Sequence, residues 1–316
     1  MNILIDGAGA IGIGLGASML SQNVNVSFFA KGETSQKLKK EGIRRTGIFK
    51  HFSFKPEDYT VYTDYKNMPS DNFDFVFVCS KTISNEDISN CLNDNKNILK
   101  DNAKIIIFQN GFGNDEPYLR YFSKDEVFCA RVITGFKRPE RNISEVTVHT
   151  EPILLGSLQG VDVDCLKVIA DKISLSGIPC EISNDLDKWL WAKMLYNCAL
   201  NPLGAVLGVN YGKLIENEYS INIMNCVIEE IFEVMDAVGY RTNWSNAREY
   251  EDVFYSKLVP DTYNHVSSTL QDIQRKKKTE IDSLTGKVIF LGEKYGVDVP
   301  INKTLYNLIK TIEINY

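Results

Sequence analysis

The segment Gly7-Ala8-Gly9-Ala10-Ile11-Gly12 places three glycines at G-x-G-x-x-G spacing between a short apolar run and a helical pattern. In that strand–turn–helix context each glycine has a job. The first permits a tight turn, the second lets backbone approach a pyrophosphate, and the third lets the helix pack close to the sheet. The helix N-terminus then turns its positive end toward the phosphates. An NAD site usually carries an acid about 20 residues further on, at the end of the second strand. Here that stretch reads Phe28-Phe29-Ala30-Lys31-Gly32-Glu33, with Lys37 one helical turn beyond. A cation at Lys31 suits a ribose 2′-phosphate and points to NADP. Glu33 is the opposing signal, unless it serves as a first-turn acid of the following helix.

A second constellation lies in Trp189–Pro202 (WLWAKMLYNCALNP), where Lys193, Asn197 and Asn201 fall four residues apart and share one helix face. Most other positions there are apolar, so the helix reads as largely buried. An ammonium and two carboxamides in such a setting need partners, because unpaired buried polar groups cost kilocalories. A snorkelling lysine with capped amides is one solution, and a polar face held toward a ligand is the other. Pro202 lacks an amide hydrogen and is expected to break the helix locally, opening it toward a cleft. Glu280 reads either as a solvated glutamate beside the run Arg275–Lys278 or as a partner acid for Lys193. Ser268 lies twelve residues before it, on the same side if one helix spans both.

The elements that must position these groups divide the chain. Strands at 2–5, 25–30, 74–79 and 104–108 alternate with helices at 11–20, 33–41 and 86–99. Continuous apolar strands between helices indicate a parallel sheet covered on both faces. The pattern at 143–155 alternates around a turn, as in an antiparallel extension, and a helix at 166–173 with a strand at 180–182 follows. From about residue 184, helical periodicity takes over at 186–207, 215–238, 245–257, 267–295 and 302–314, with stops at Gly239, Pro260 and Gly296. The expectation is an α/β fold: a Rossmann-type, doubly wound parallel sheet over 1–183, then an all-helical domain over 184–316. The run Arg275–Lys278 is expected on a solvated helix face.

Composition excludes other classes. Lys and Arg total 35 against 41 Asp and Glu, a net charge of −6, so there is no basic excess to neutralise phosphates and a duplex-binding protein is not expected. No run approaches the ~20 apolar residues of a membrane span. The apolar stretch Ile3–Leu20 contains Asp6 and lacks a basic start, so it reads as fold rather than signal peptide. Seven cysteines without a C-x-x-C pair suit free thiols in a reducing, cytoplasmic setting. His51, His149 and His265 are the only histidines and none has metal-ligand spacing, so no metal site is expected. No nucleophile elbow of the G-x-S-x-G type is present.

With these residues in place the chain resembles ketopantoate reductase (2-dehydropantoate 2-reductase) over nearly its whole length. The matching pieces are Gly7–Gly12, Ser80-Lys81, Gln109–Gly113, Trp191–Pro202, Ser267–Asp272, Thr279–Asp282 and Tyr295–Pro300. The resemblance implies NADPH-dependent reduction of 2-dehydropantoate to pantoate, for pantothenate and coenzyme A synthesis, in a cleft between the two domains. It implies that Lys193 protonates the ketone oxygen and that Glu280 lies by that lysine and the cofactor. It implies that Asn110 and Lys81 line the cofactor site and that Asn197, Asn201 and Ser268 contact the substrate. Two positions depart from the family, Tyr211 and His265, where asparagine is frequent, and both fall on the substrate side. A dehydrogenase of branched-chain 2-keto acids therefore stays open. A non-catalytic NADP(H)-binding sensor is the alternative from another class, against which Lys193 and Glu280 speak. The partner expected is a small 2-keto acid, with monomer and homodimer both open.

Overall fold

The opening run Asn2–Asp6 is a strand, β1, buried from Ile3 onward, and the turn after it leads into helix α1, Ala10–Leu20. The remaining strands are β2 (Asn25–Phe29), β3 (Ile43–Gly47), β4 (Phe52–Phe54), β5 (Thr60–Tyr62), β6 (Phe73–Val78), β7 (Leu99–Ile107), β8 (Val127–Arg131), β9 (Gly135–Lys137), β10 (Ile143–Val148), β11 (Ile153–Gly156) and β12 (Cys180–Ser183). Helices α2 (Gly32–Glu41), α3 (Asn85–Asp94), α4 (Glu116–Leu119) and α5 (Lys167–Leu175) lie among them. The computed structural model describes all residues, 1–316. It forms two units, residues 1–109 with 114–186, and residues 187–316 with 110–113. The division falls just past Ser183, and Asn110–Gly113 group with the helices.

The first unit holds an eight-stranded sheet of order β12-β11-β8-β7-β6-β1-β2-β5, parallel except for the antiparallel pair β11/β8. Residues such as Ile3, Ile5, Phe77 and Ile106 are fully buried, as near-continuous apolar strands between helices require. β1 sits between β2 and β6, both parallel to it, so the strand order reverses at its carboxyl end. Open α/β sheets bind ligands in the crevice at such a switch point.

A second sheet, β4-β3-β10-β9, was not anticipated. The stretch 143–155 is therefore not one antiparallel extension: β10 belongs to this small sheet and β11 to the large one. The small sheet escapes pattern reading because its strands are short and polar. β3 (IRRTG) buries Arg45 completely, under Ser18 of α1 and Ser176 beyond α5. The guanidinium also donates to the carbonyls of Lys50 (2.9 Å) and Ser176 (2.7 Å), all neutral acceptors, and burial pushes it down to about 10.

The second unit is helical: α6 (Leu186–Leu207), α7 (Tyr211–Leu214), α8 (Glu218–Val238), α9 (Ala247–Val253), α10 (Val259–Asp261), α11 (Ser268–Gln274), α12 (Thr285–Tyr295) and α13 (Pro300–Ile314). Gly239 and Gly296 end their helices in the left-handed conformation, as expected. Pro260 does not stop its helix; α9 runs through a π-helical turn into α10, where Pro260 occupies the first turn. Pro202 does not break α6 either. The helix buries Trp191, Leu195, Cys198, Ala199 and Leu200 completely, and that packing outweighs one missing backbone bond. The expected helix at 267–295 is three pieces. It ends at Gln274, Lys276 takes φ +52°, and a 3-10 turn at Ile281–Ser283 precedes α12. Ser268 and Glu280 thus share no helix face, and the run Arg275–Lys278 forms an exposed turn instead of a helix flank. No helix is long and apolar enough to cross a membrane.

Candidate active site

In the first unit a cleft of about 340 Å³ opens at the switch point, lined by Gly7, Ala8 and Gly9. Lys31 and Thr34 line it from the start of α2, Ser80 and Ser84 from the loop after β6, and Ile88 from α3. Gly7 has φ +101°, and a Cβ there would sit 2.4 Å from the Ser80 amide nitrogen. A Cβ on Gly12 would lie 2.0 Å from the Gly7 carbonyl oxygen, so only glycine lets α1 start this close to the turn. Gly9, the N-cap of α1, meets nothing nearer than the Cys79 carbonyl at 4.0 Å. Its open side is where a pyrophosphate requires room, and Ala10, Ile11 and Gly12 supply the first helical turn behind it. The residues present fit a dinucleotide.

The floor of this cleft holds Asp6, which is 1% exposed. Its carboxylate accepts hydrogen bonds from Tyr65 Oη and from Ser80 Oγ (2.7 Å). Burial pushes the Asp6 carboxyl up, against the opposing pull of those two hydroxyls and of Lys31. At the rim, Lys31 caps α2 and lies 5.3 Å over the Phe29 ring. Glu33, the acid that complicated the choice of cofactor, forms an ion pair with Arg141. Lys81 stands at the head of the 3-10 turn Thr82–Ser84, next to the cleft residue Ser80.

Sequence reading overlooked several cleft residues, Arg138 and Tyr65 among them. Arg138 follows β9 on the small sheet, and Tyr65 precedes β6 with its ring 4.5 Å from Phe29. Arg138 stands more than a hundred residues beyond the glycine turn. Its signal was confined to a basic pair, Arg138 and Arg141, in a strand region that was not recognised.

In the second unit Lys193 and Asn197 are half-buried and Asn201 is buried, all on α6. Lys193 Nζ donates to Asn110 Oδ1 at 2.6 Å, a short charge-assisted bond. Asn110 Nδ2 lies 3.5 Å from Glu280 Oε2. The three residues come from sequence positions far apart, and two devices assemble them. Phe112 packs against Trp191 and Tyr240 with ring centroids 5.1 Å from each, docking 110–113 on the helices. The Phe112 amide also donates to the Ser283 carbonyl at 3.1 Å. Gly111 takes φ +100°, and a Cβ there would lie 2.3 Å from that same oxygen. Glu280 itself is held by its neighbours: Ile281 is fully buried against Ala205, Leu270 and Ile309, and Thr279 donates its amide and hydroxyl to Glu313 at 2.7 Å each.

Of the substrate-side residues, Asn201 Oδ1 accepts a hydrogen bond from Tyr211 Oη at 2.6 Å. Tyr211 is buried, and its ring lies 5.0 Å from that of His265, which is exposed. The two positions that depart from the family are therefore neighbours, and one of them holds a predicted substrate residue. Ser268 is exposed at the first turn of α11, which Ser267 caps by accepting from the Leu270 amide at 3.0 Å. No group of three His, Cys, Asp or Glu side chains converges to hold a metal ion.

Comparison with known proteins adds the family. The profile described as "Ketopantoate reductase PanE/ApbA" matches residues 3–160, and "Ketopantoate reductase PanE/ApbA C terminal" matches residues 185–313. The chain is 34% identical to a 2-dehydropantoate 2-reductase of Aquifex aeolicus over 99% of its own length and 97% of that protein. It is 29% identical to the 2-dehydropantoate 2-reductase of Archaeoglobus fulgidus, covering 98% and 97% of the two chains. Among solved structures, a PanE/ApbA family ketopantoate reductase from Ralstonia eutropha superposes with a TM-score of 0.85 at 25% identity, over 100% of this chain and 99% of that one.

Proposed function

The chain belongs to the ketopantoate reductase family, and on that premise we propose that it is an oxidoreductase that reduces 2-dehydropantoate to pantoate with NADPH. The observation that carries the reading is the Lys193 ammonium, held by Asn110 at 2.6 Å on a helix that also presents Asn197 and Asn201 and buries Trp191, Leu195, Cys198 and Ala199. In this reading the unit that begins with β1 binds the dinucleotide. Gly7, Ala8, Gly9, Ala10, Ile11 and Gly12 receive the pyrophosphate, and Lys31 the 2′-phosphate. Lys81 and Asn110 lie along the rest of the cofactor. The helical unit binds the substrate, with Asn197, Asn201 and Ser268 as its polar contacts.

NADPH, when bound, supplies a hydride to the C2 ketone carbon. As negative charge develops on the ketone oxygen, the Lys193 ammonium stabilises it and transfers a proton from Nζ to that oxygen. The lysine is left as a neutral amine and regains its proton from solvent. Asn110 fixes where Nζ points, and Glu280 contributes the negative charge that balances the ammonium. A carboxamide face on α6 can bind the substrate's hydroxyl and carboxylate without competing for the proton. The pantoate formed serves pantothenate and coenzyme A synthesis. Seven free cysteines support a reducing, cytoplasmic setting.

Replacement of Lys193 tests the assignment. Lys193→Ala is expected to lower kcat by about 10²–10⁴-fold, the usual contribution of a positioned general acid. The Kd for NADPH, measured by titration, is expected to change little. Unchanged kcat refutes the role of Lys193.

A further inference from the structure

We propose that Arg138, on the turn after β9, is a specificity residue of the dinucleotide site: together with Lys31 it receives the 2′-phosphate and so sets the preference for NADPH over NADH. The inference rests on the reading that the cleft at Gly7–Gly9 binds NADPH.

Three observations carry it. Arg138 and Lys31 line the same cleft as Gly7 and Gly9, with Thr34 alongside. The Arg138 guanidinium is anchored on one side only. Nη2 donates to Thr34 Oγ1 at 3.0 Å and to the Arg141 carbonyl at 2.6 Å, and Nε to that carbonyl at 3.2 Å. Nη1 makes no hydrogen bond within the chain, neither Arg138 nor Lys31 forms an ion pair with a carboxylate, and Lys31 acts on Asp6 only through its longer-range charge.

The acids that could have neutralised Arg138 are committed elsewhere. Glu33 pairs with Arg141, and Glu140 accepts from Lys37 at 2.6 Å. Those two ion pairs and the Thr34 bond fasten the β9–β10 turn to α2, which aims the guanidinium at the cleft. Two acids do line the cleft, Asp6 and Asp87. Asp6 is closed off by Tyr65 and Ser80 at the floor, and Asp87 is on α3, the helix that follows β6. Burial and the neighbouring Arg141 charge disfavour the lone Arg138 cation, a cost that a dianionic monoester phosphate reverses. A planar guanidinium with a spare amino group matches phosphate geometry, and a lysine beside it adds a point charge.

The small sheet acquires a function from this. It brings a cation from a distant part of the sequence to the same nucleotide cleft that Lys31 lines.

The experiment is equilibrium titration of NADPH, NADH and 2′-AMP into the full chain and into Arg138→Ala and Arg138→Lys. Loss of one charge-assisted contact to phosphate is expected to raise the NADPH Kd of Arg138→Ala by about 10–100-fold. The NADH Kd is expected to stay unchanged, 2′-AMP to stop competing, and Arg138→Lys to recover part of the NADPH affinity. Equal weakening of NADPH and NADH overturns the proposal, since Arg138 then only fastens the turn to α2. An unchanged NADPH Kd overturns it too. A wild-type chain that binds NADH as tightly as NADPH instead refutes the underlying choice of cofactor, before any variant is compared.

Discussion

An ammonium on a helix this apolar persists only if other groups meet its charge, and Asn110 does so with a single acceptor atom at 2.6 Å from Lys193 Nζ. Asn110→Ala keeps the charge and removes its aim. A charge-assisted hydrogen bond of about 1.5–3 kcal/mol translates into a kcat at least about 10-fold lower, with the melting temperature held. Steady-state kinetics beside a thermal melt checks this; unchanged kcat shows that other groups alone orient Nζ. Asp6 poses the opposite problem, a carboxyl buried at the cleft floor and pushed up from its ordinary 3.8 by that burial. Because the folded chain favours the neutral form, its contribution to stability is complete below about pH 3.8 and is lost as pH rises through the folded value. Asp6→Asn removes the titration. The melting temperature of the variant relative to wild type is therefore expected to climb as pH rises above about 3.8. A constant difference across that range contradicts the argument.

At the scale of elements, the turn that carries Glu280 is held mainly by the C-terminal helix. Glu313 on α13 accepts from the Thr279 amide and hydroxyl, while Asp282 accepts from Tyr306 at 2.6 Å and pairs with Lys310 at 3.1 Å. Glu313→Ala leaves a buried amide unsatisfied and is expected to cost about 1–3 kcal/mol. It is also expected to lower kcat, by releasing Glu280, and Glu313→Gln is expected to rescue both through its retained oxygen. A melting temperature that falls with kcat unchanged contradicts the link from α13 to the site. This turn also shows where sequence reading stops. Lys193, Asn197 and Asn201 were legible on α6 because a long run of mostly apolar residues leaves these three, four apart, standing out. Glu280 was legible as a residue but not in its setting: helical periodicity on both sides concealed a turn anchored by Glu313, thirty-odd residues away. Pro202 misled for a related reason, since burial of the α6 side chains overrides its local preference.

At the scale of the whole molecule, the first unit depends on fastening its small sheet to the helices beside it, and Arg45 of β3 does so through Ser18 of α1 and Ser176 at the end of α5. Arg45→Met is expected to cost about 3 kcal/mol, because acceptors beneath a buried guanidinium lose their donors. A thermal melt unchanged by the substitution refutes that role. Strands β1, β2, β6, β7 and β12 of the large sheet were legible as apolar runs and β5 and β8 were not, whereas the small sheet was hidden, because a strand that buries an arginine makes sense only once its distant serine partners are in place. The same blind spot concealed Arg138. Fold, family and the α6 constellation converge on reduction of a 2-keto acid, and the pair Tyr211–His265 beside Asn201 makes substrate identity the point most worth measuring. The direct test is kcat/KM of the purified chain with NADPH for ketopantoate and for 2-ketoisovalerate, which lacks the 4-hydroxyl. Ketopantoate is expected to be preferred by about 100-fold or more, as for a site built to hydrogen-bond a substrate hydroxyl. Equal turnover of the two acids, or none of either, contradicts the assignment.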